Sequence, residues 1–123
     1  MRNKAAQYFM SGYNCSQCVL MAARDVYGIK ADDDMISSLS GVCLGFGTGC
    51  ICGLLVGAVM VFGLLTDESG TLRARIKLLD IVSQKYGGSV RCPSLKNEQL
   101  SGNCEVLVSE ISGIIENIIK EGL

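Results

Sequence analysis

The feature that most constrains this chain is a stretch without charge. No Asp, Glu, Lys or Arg occurs between Asp34 and Asp67. Its apolar centre, VCLGFGTGCICGLLVGAVMVFGLL from Val42 to Leu65, raises the question of a membrane span, which needs about 20 continuous apolar residues. Gly45, Gly47, Thr48 and Gly49 break the first third, so the helix proper is expected to start near Cys50. That leaves about 16 residues to Leu65, nearer the length of a buried core helix. Asp67 and Glu68 follow directly where a span would carry basic flanks. The expectation is a central buried helix and no membrane insertion. Gly53 and Gly57 form a G-xxx-G pair that lets another helix approach closely, within the chain or across a homodimer.

The segments on either side read as amphipathic helices. A short helix is expected over Lys4–Ser11, ended by Gly12. Asn14 then caps a helix from Cys15 to Tyr27, with Val19, Leu20, Ala23, Val26 and Tyr27 at helical spacing and Gly28 as its stop. Asp32–Asp34 cap a short helix to about Leu39. Thr71 opens a helix over Leu72–Tyr86 with Leu72, Ile76, Leu79 and Val82 or Ser83 along one face, closed by Gly87 and Gly88. Asn103 caps the last, Cys104–Lys120, which carries Leu107, Ile111, Ile114, Ile115, Ile118 and Ile119. No strand-like alternation persists. At 123 residues there is room for one core, so residues 1–123 are read as a single all-α domain. The architecture expected is a small bundle of about five helices around the central glycine-rich apolar helix.

Composition removes whole classes of function. The net charge is −1 and the charges are scattered, so no basic face for nucleic acid exists. There are seven cysteines and no histidine. A Cys–His nucleophile, a Ser–His–Asp triad, a Cys2His2 zinc site and a CxxCH haem attachment therefore fall away together. Thiolate chemistry remains: all-sulfur metal ligation, disulfide exchange, or buried inert thiols. The N-terminus, MRNKAAQYFMSGYNCSQ, lacks the apolar run and cleavage site of a secretory signal. A cytoplasmic location with reduced cysteines is expected, and the odd cysteine count speaks against a purely structural disulfide framework.

Three cysteines fall at expected helix starts. Cys15 and Cys104 each follow a cap, and Cys52 opens the apolar helix. Helix N-termini offer free backbone N–H groups and partial positive charge, which favour a thiolate. Cys92 sits between Arg91 and Pro93 in a loop, where the guanidinium favours the thiolate further. Cys15 and Cys18 have CxxC spacing, a redox dithiol or half of a metal site, against the plainer reading of two small core residues. The glycine-rich run Gly45–Gly53 has no following Lys-Ser/Thr and no preceding strand, so it is not read as a nucleotide loop. Its glycines suit close backbone approach to a cluster or a packed helix. Tyr8, Tyr13, Phe46 and Phe62 are read as core or rim aromatics, and the scattered methionines as core filling.

Read in order, Gly12-Tyr13-Asn14-Cys15-Ser16-Gln17, Gly45-Phe46-Gly47, Cys52-Gly53-Leu54-Leu55-Val56-Gly57, Cys92 and Cys104 resemble the redox-active proteins known by the signature C_GCAxxG_C_C. The resemblance implies a small helical domain with four principal cysteines, mapping here to Cys15, Cys52, Cys92 and Cys104, in a redox or iron–sulfur role. Two departures stand out. Leu54 occupies the position of the signature's Ala, and Cys18, Cys43 and Cys50 are additional.

Three functions follow from these readings. The first is a metal or iron–sulfur protein for electron transfer or cluster carriage, with Cys15, Cys52, Cys92 and Cys104 as ligands and Cys18 and Cys50 as further candidates. Zinc, or no metal, is the alternative. The second is a metal-free thiol–disulfide oxidoreductase or sensor. The third is a helical binding module with structural cysteines. A redox partner protein is expected for the first two, and whether the protein is an enzyme is left open.

Overall fold

A computed structural model describes residues 1–42, 52–86 and 104–122, without the side chains of Cys104 and Glu105. Cys43, Cys50, Cys92, the Gly45–Gly49 run, the Gly87-Gly88 stop and the Asn103 cap lie outside the described residues. Six helices are described: α1 (Arg2–Met10), α2 (Cys15–Tyr27), α3 (Asp33–Ser38), α4 (Gly53–Leu65), α5 (Glu68–Lys85) and α6 (Cys104–Glu121). No strand occurs among the described residues, and the chain is an all-α bundle.

Capping chemistry sets most boundaries. Asn14 Oδ1 accepts from Gln17 N while Gln17 Oε1 accepts from Asn14 N, a reciprocal capping box that starts α2. Gly28 ends it in the left-handed region at φ 66°, a conformation that favours glycine. Asp32 caps α3 through Met35 N. Cys52 is the N-cap of α4, so that helix begins at Gly53, later than expected, and ends at Leu65 as expected. α5 departs most from expectation. Asp67 Oδ1 accepts from Gly70 N at 2.7 Å, which starts the helix at Glu68, ahead of Thr71. A strong carboxylate cap outweighs the weak helix propensity of Ser69 and Gly70.

The inward face of α5 also differs. Ala74, Leu78 and Val82 are buried, whereas Leu72 and Ile76 are 41% and 63% exposed. Both stripes have helical spacing, and periodicity alone does not choose between them. Small Ala74 belongs to the stripe that faces α4 and α6.

The centre of the molecule is the α2–α4 pair, the most extensive packing between elements. Every residue from Ser16 to Ala23 is buried, so α2 is as central as the apolar helix. α4 itself is not enclosed on all sides, because Gly63 and Leu64 are exposed at its far end. α1 packs on α2 and α6, while α5 runs back beside α4 and against α6. Phe62, Leu20, Leu54, Leu78, Leu107, Ile111 and Ile115 fill the common core. No helix among the described residues is long and apolar enough to cross a membrane.

The glycines of α4 explain how closely α2 approaches. A Cβ at position 57 would lie 2.8 Å from the Ser16 carbonyl oxygen and 3.3 Å from Ser16 Cα. Gly63, on the same helix, has only Thr71 Cγ2 at 4.0 Å. Gly57→Ala is therefore expected to destabilise the protein by about 1–3 kcal/mol, because helix backbones must separate. Gly63→Ala is expected to be neutral or to stabilise by up to about 1 kcal/mol through helix propensity. Urea unfolding of the two variants checks the contrast, which equal destabilisation would refute.

Candidate thiol redox site

The starts of α2 and α4 meet where Cys15 lies against Gly53, the residue after Cys52. Cys15 is the first residue of α2 and half-buried, and Cys52, the N-cap of α4, is 1% exposed. The contact is made at Gly53, where a Cβ would stand 2.7 Å from Cys15 Sγ and 2.8 Å from the Val42 carbonyl oxygen. Glycine at this position leaves the space that the sulfur occupies. The G-xxx-G pair thus has two tasks: Gly57 admits the α2 backbone, and Gly53 admits a thiol.

Cys15 is held there by its neighbours in sequence. The Asn14 side-chain amide donates to the carbonyls of Leu39 at 2.9 Å and Ser40 at 3.3 Å. Gln17 Nε2 donates to the Ile36 carbonyl at 3.0 Å. Ser16 Oγ lies 2.7 Å from Asn14 Oδ1 and 2.9 Å from the Val42 carbonyl, two acceptors for its single proton. Ser16 is fully buried and Gln17 nearly so, which makes these bonds costly to lose. The capping box thus also ties α3 and the segment after it against the first turn of α2. The Asn-x-x-Gln spacing announces the cap, but its bonds to positions 36–42 are tertiary and carry no local signal.

Cys18 is different. Its thiol is buried, lies 3.5 Å from the Tyr13 carbonyl as donor, and is pushed up to about 12 by burial first and by neighbouring Cys15 second. At neutral pH it is a protonated core thiol. Cys104 begins α6, as expected, and its side chain lies outside the described residues. Among the described residues no three Cys, Asp or Glu side chains are grouped to hold a metal ion.

A polar cluster unanticipated from sequence borders the same end of the bundle. α5 returns alongside α4, and its C-cap, Tyr86, is fully buried. The phenol donates to Glu110 Oε2 at 2.8 Å, and Lys85 pairs with the same oxygen at 2.9 Å. Burial and the Glu110 hydrogen bond raise the Tyr86 pKa, and a charge on Cys52 raises it further. The bonds from Lys85 and Tyr86 in turn hold Glu110 below the usual carboxylate range. No sequence signal links Tyr86 to a residue on another helix.

Residues 13–118 match the model of the family described as "Putative redox-active protein (C_GCAxxG_C_C)". The chain belongs to this family. The match spans every cysteine from Cys15 to Cys104. No curated protein and no solved structure matches the chain. Within this redox-active family member, Leu54 is absorbed into the core at 1% exposure.

Three outcomes are expected. Cys18 should resist iodoacetamide at pH 7–8 in the folded protein while Cys15 is modified, with Cys18 reacting only on unfolding or at strongly alkaline pH; peptide mapping reads this. Because the folded-state pKa of Cys18 is raised, its contribution to stability is present below about pH 9 and is lost as pH rises towards 12. Gly53→Ala should displace Cys15 and change its alkylation rate, and an unchanged rate would refute the contact.

Proposed function

We propose that Cys15 and Cys52, completed by Cys92 and Cys104, ligate an iron–sulfur or other thiolate-bound metal centre that serves electron transfer or cluster carriage. The observation that carries this reading is the seating of Cys15 Sγ against Gly53, directly beside Cys52, at two adjoining helix starts. Helix N-termini stabilise sulfur as thiolate. Two thiolates side by side repel, and a metal cation between them relieves that repulsion. The donor set fits: these are soft sulfur ligands in a chain with no histidine, suited to iron–sulfur clusters or zinc. The described residues supply two of the four sulfurs. When bound, an iron–sulfur centre would supply one-electron chemistry, which zinc would not. The protein's own contribution is to hold Cys15 with the Asn14–Ser16–Gln17 bonds, keep Cys52 from water, and leave Cys15 half open.

A second reading is a reversible disulfide between the same two positions, favoured by the pairing of one half-exposed and one buried sulfur. The Cys15 thiolate would attack an external disulfide, releasing one external thiol, and Cys52 would resolve the mixed disulfide, releasing the other.

Anaerobic purification followed by iron, zinc and acid-labile sulfide analysis separates the readings. Stoichiometric iron and sulfide, sharply reduced by Cys52→Ser, is the expected result. A folded, metal-free protein with a reversible Cys15–Cys52 disulfide would establish the second reading in its place.

A further inference from the structure

Gly113 lies inside α6, and the space left by its missing side chain has a definite occupant. A Cβ there would stand 3.1 Å from Arg2 Cδ, 3.2 Å from Arg2 Nε and 3.4 Å from Arg2 Cζ. Glycine is among the poorest helix residues, and here it seats the side chain of Arg2 across the helix. Around this crossing, α1, α5 and α6 line a groove of about 300 Å³, at the small end of the range for ligand pockets. Each helix contributes one cation to it: Arg2 from α1, Lys85 from α5 and Lys120 from α6. The Asn117 amide lines it too.

Two carboxylates share the groove, and both are already engaged. Glu110 Oε2 meets Lys85 at 2.9 Å and the Tyr86 phenol at 2.8 Å. Glu116 Oε1 lies 3.2 Å from the Met1 amino group. Glu121, the other acid at this end of α6, is not among the groove's lining residues. Arg2 and Lys120 therefore have no ion pair among the described residues. Of its five N–H donors the Arg2 guanidinium spends one, in a long bond from Nε to Ser109 Oγ at 3.5 Å. Cations converging on one groove from three helices repel one another, and a bound anion relieves that repulsion.

We propose that the groove over Gly113 binds a small oxyanion, a phosphate or carboxylate group held by Arg2, Lys120 and Asn117. The planar guanidinium fork matches two oxygens of either group. Asn117 adds amide donors, and Lys85 keeps donors beyond the one that meets Glu110. No cysteine lines the groove, so anion binding here does not depend on the chemistry of Cys15 and Cys52.

The test is a titration of the isotopically labelled full-length protein with sodium phosphate at neutral pH, followed by amide and arginine Nε resonances. Sodium chloride at matched ionic strength is the control. Saturable shifts at Arg2 Nε and at the Gly113 and Asn117 signals are expected with phosphate and not with chloride. Arg2→Gln and Lys120→Gln should each weaken binding about tenfold. Gly113→Ala keeps every charge and displaces only the guanidinium, so it should weaken binding as well. Lys77→Gln, which removes an exposed cation of α5 outside the groove, should leave the affinity unchanged. Arg2, Lys77 and Lys120 are all exposed, and far-ultraviolet circular dichroism confirms that the variants fold. A parallel titration with sodium succinate assigns the ligand class, and saturation of the same signals by either anion supports the site. Shifts that chloride reproduces, or that centre away from Gly113, overturn the proposal. Equal weakening by Lys77→Gln overturns it too, in favour of unspecific attraction to the surface.

Discussion

The close approach of α2 to α4 is the constraint on which the rest of the arrangement depends. Two side chains are missing where they would be in the way. At Gly57 the absence lets the Ser16 backbone lie against the helix, and at Gly53 it makes room for Cys15 Sγ. Ordinary helix pairs are held apart by their side chains, with axes about 8–10 Å apart. Here the two missing side chains let the Ser16 backbone and the Cys15 thiol lie directly against α4. The other helices pack around that pair: α5 beside α4, α1 on α2, and α6 against both α1 and α5.

A second layer of organisation is polar and lies on one side of the joint. Asn14, Ser16 and Gln17 spend their side chains on carbonyls of residues 36, 39, 40 and 42, all just before the glycine-rich run. The Val42 carbonyl is met both by Ser16 Oγ and by the space above Gly53. Cys15 thus sits beside a frame of hydrogen bonds, whereas Cys18, one turn along, is buried in the core with its thiol on the Tyr13 carbonyl. Equal spacing on one helix has produced two thiols of different character. The difference comes from what each one faces.

Much of this was legible before any coordinates. Asn14 and Gly28 mark the ends of α2 because caps are local chemistry. The uncharged run announces a buried helix, and its glycines announce a close neighbour. The placing of Cys15, Cys52 and Cys104 at helix starts follows from the same local signals. What was not legible is tertiary. Leu72 and Ile76 have the period of an inward face and turn outward, since two stripes compete on α5 and only packing against α4 and α6 decides. Tyr86 reads as a helix end and is a buried phenol bonded across to Glu110. The start of α5 was misplaced because Asp67 caps through Ser69 and Gly70, residues that read as a turn.

The frame around Cys15 also fixes an order of events in biosynthesis. Asn14, Cys15 and Ser16 leave the ribosome before the residues that fix them. Their acceptors at positions 36–42 come later, and Gly53 later still. Until α4 has been made and has docked, Cys15 is an ordinary thiol on an unshielded helix end, open to any oxidant. The environment that distinguishes it is complete only when the glycine face of α4 closes on α2. The nascent chain therefore passes through an interval in which Cys15 exists without the structure that surrounds it.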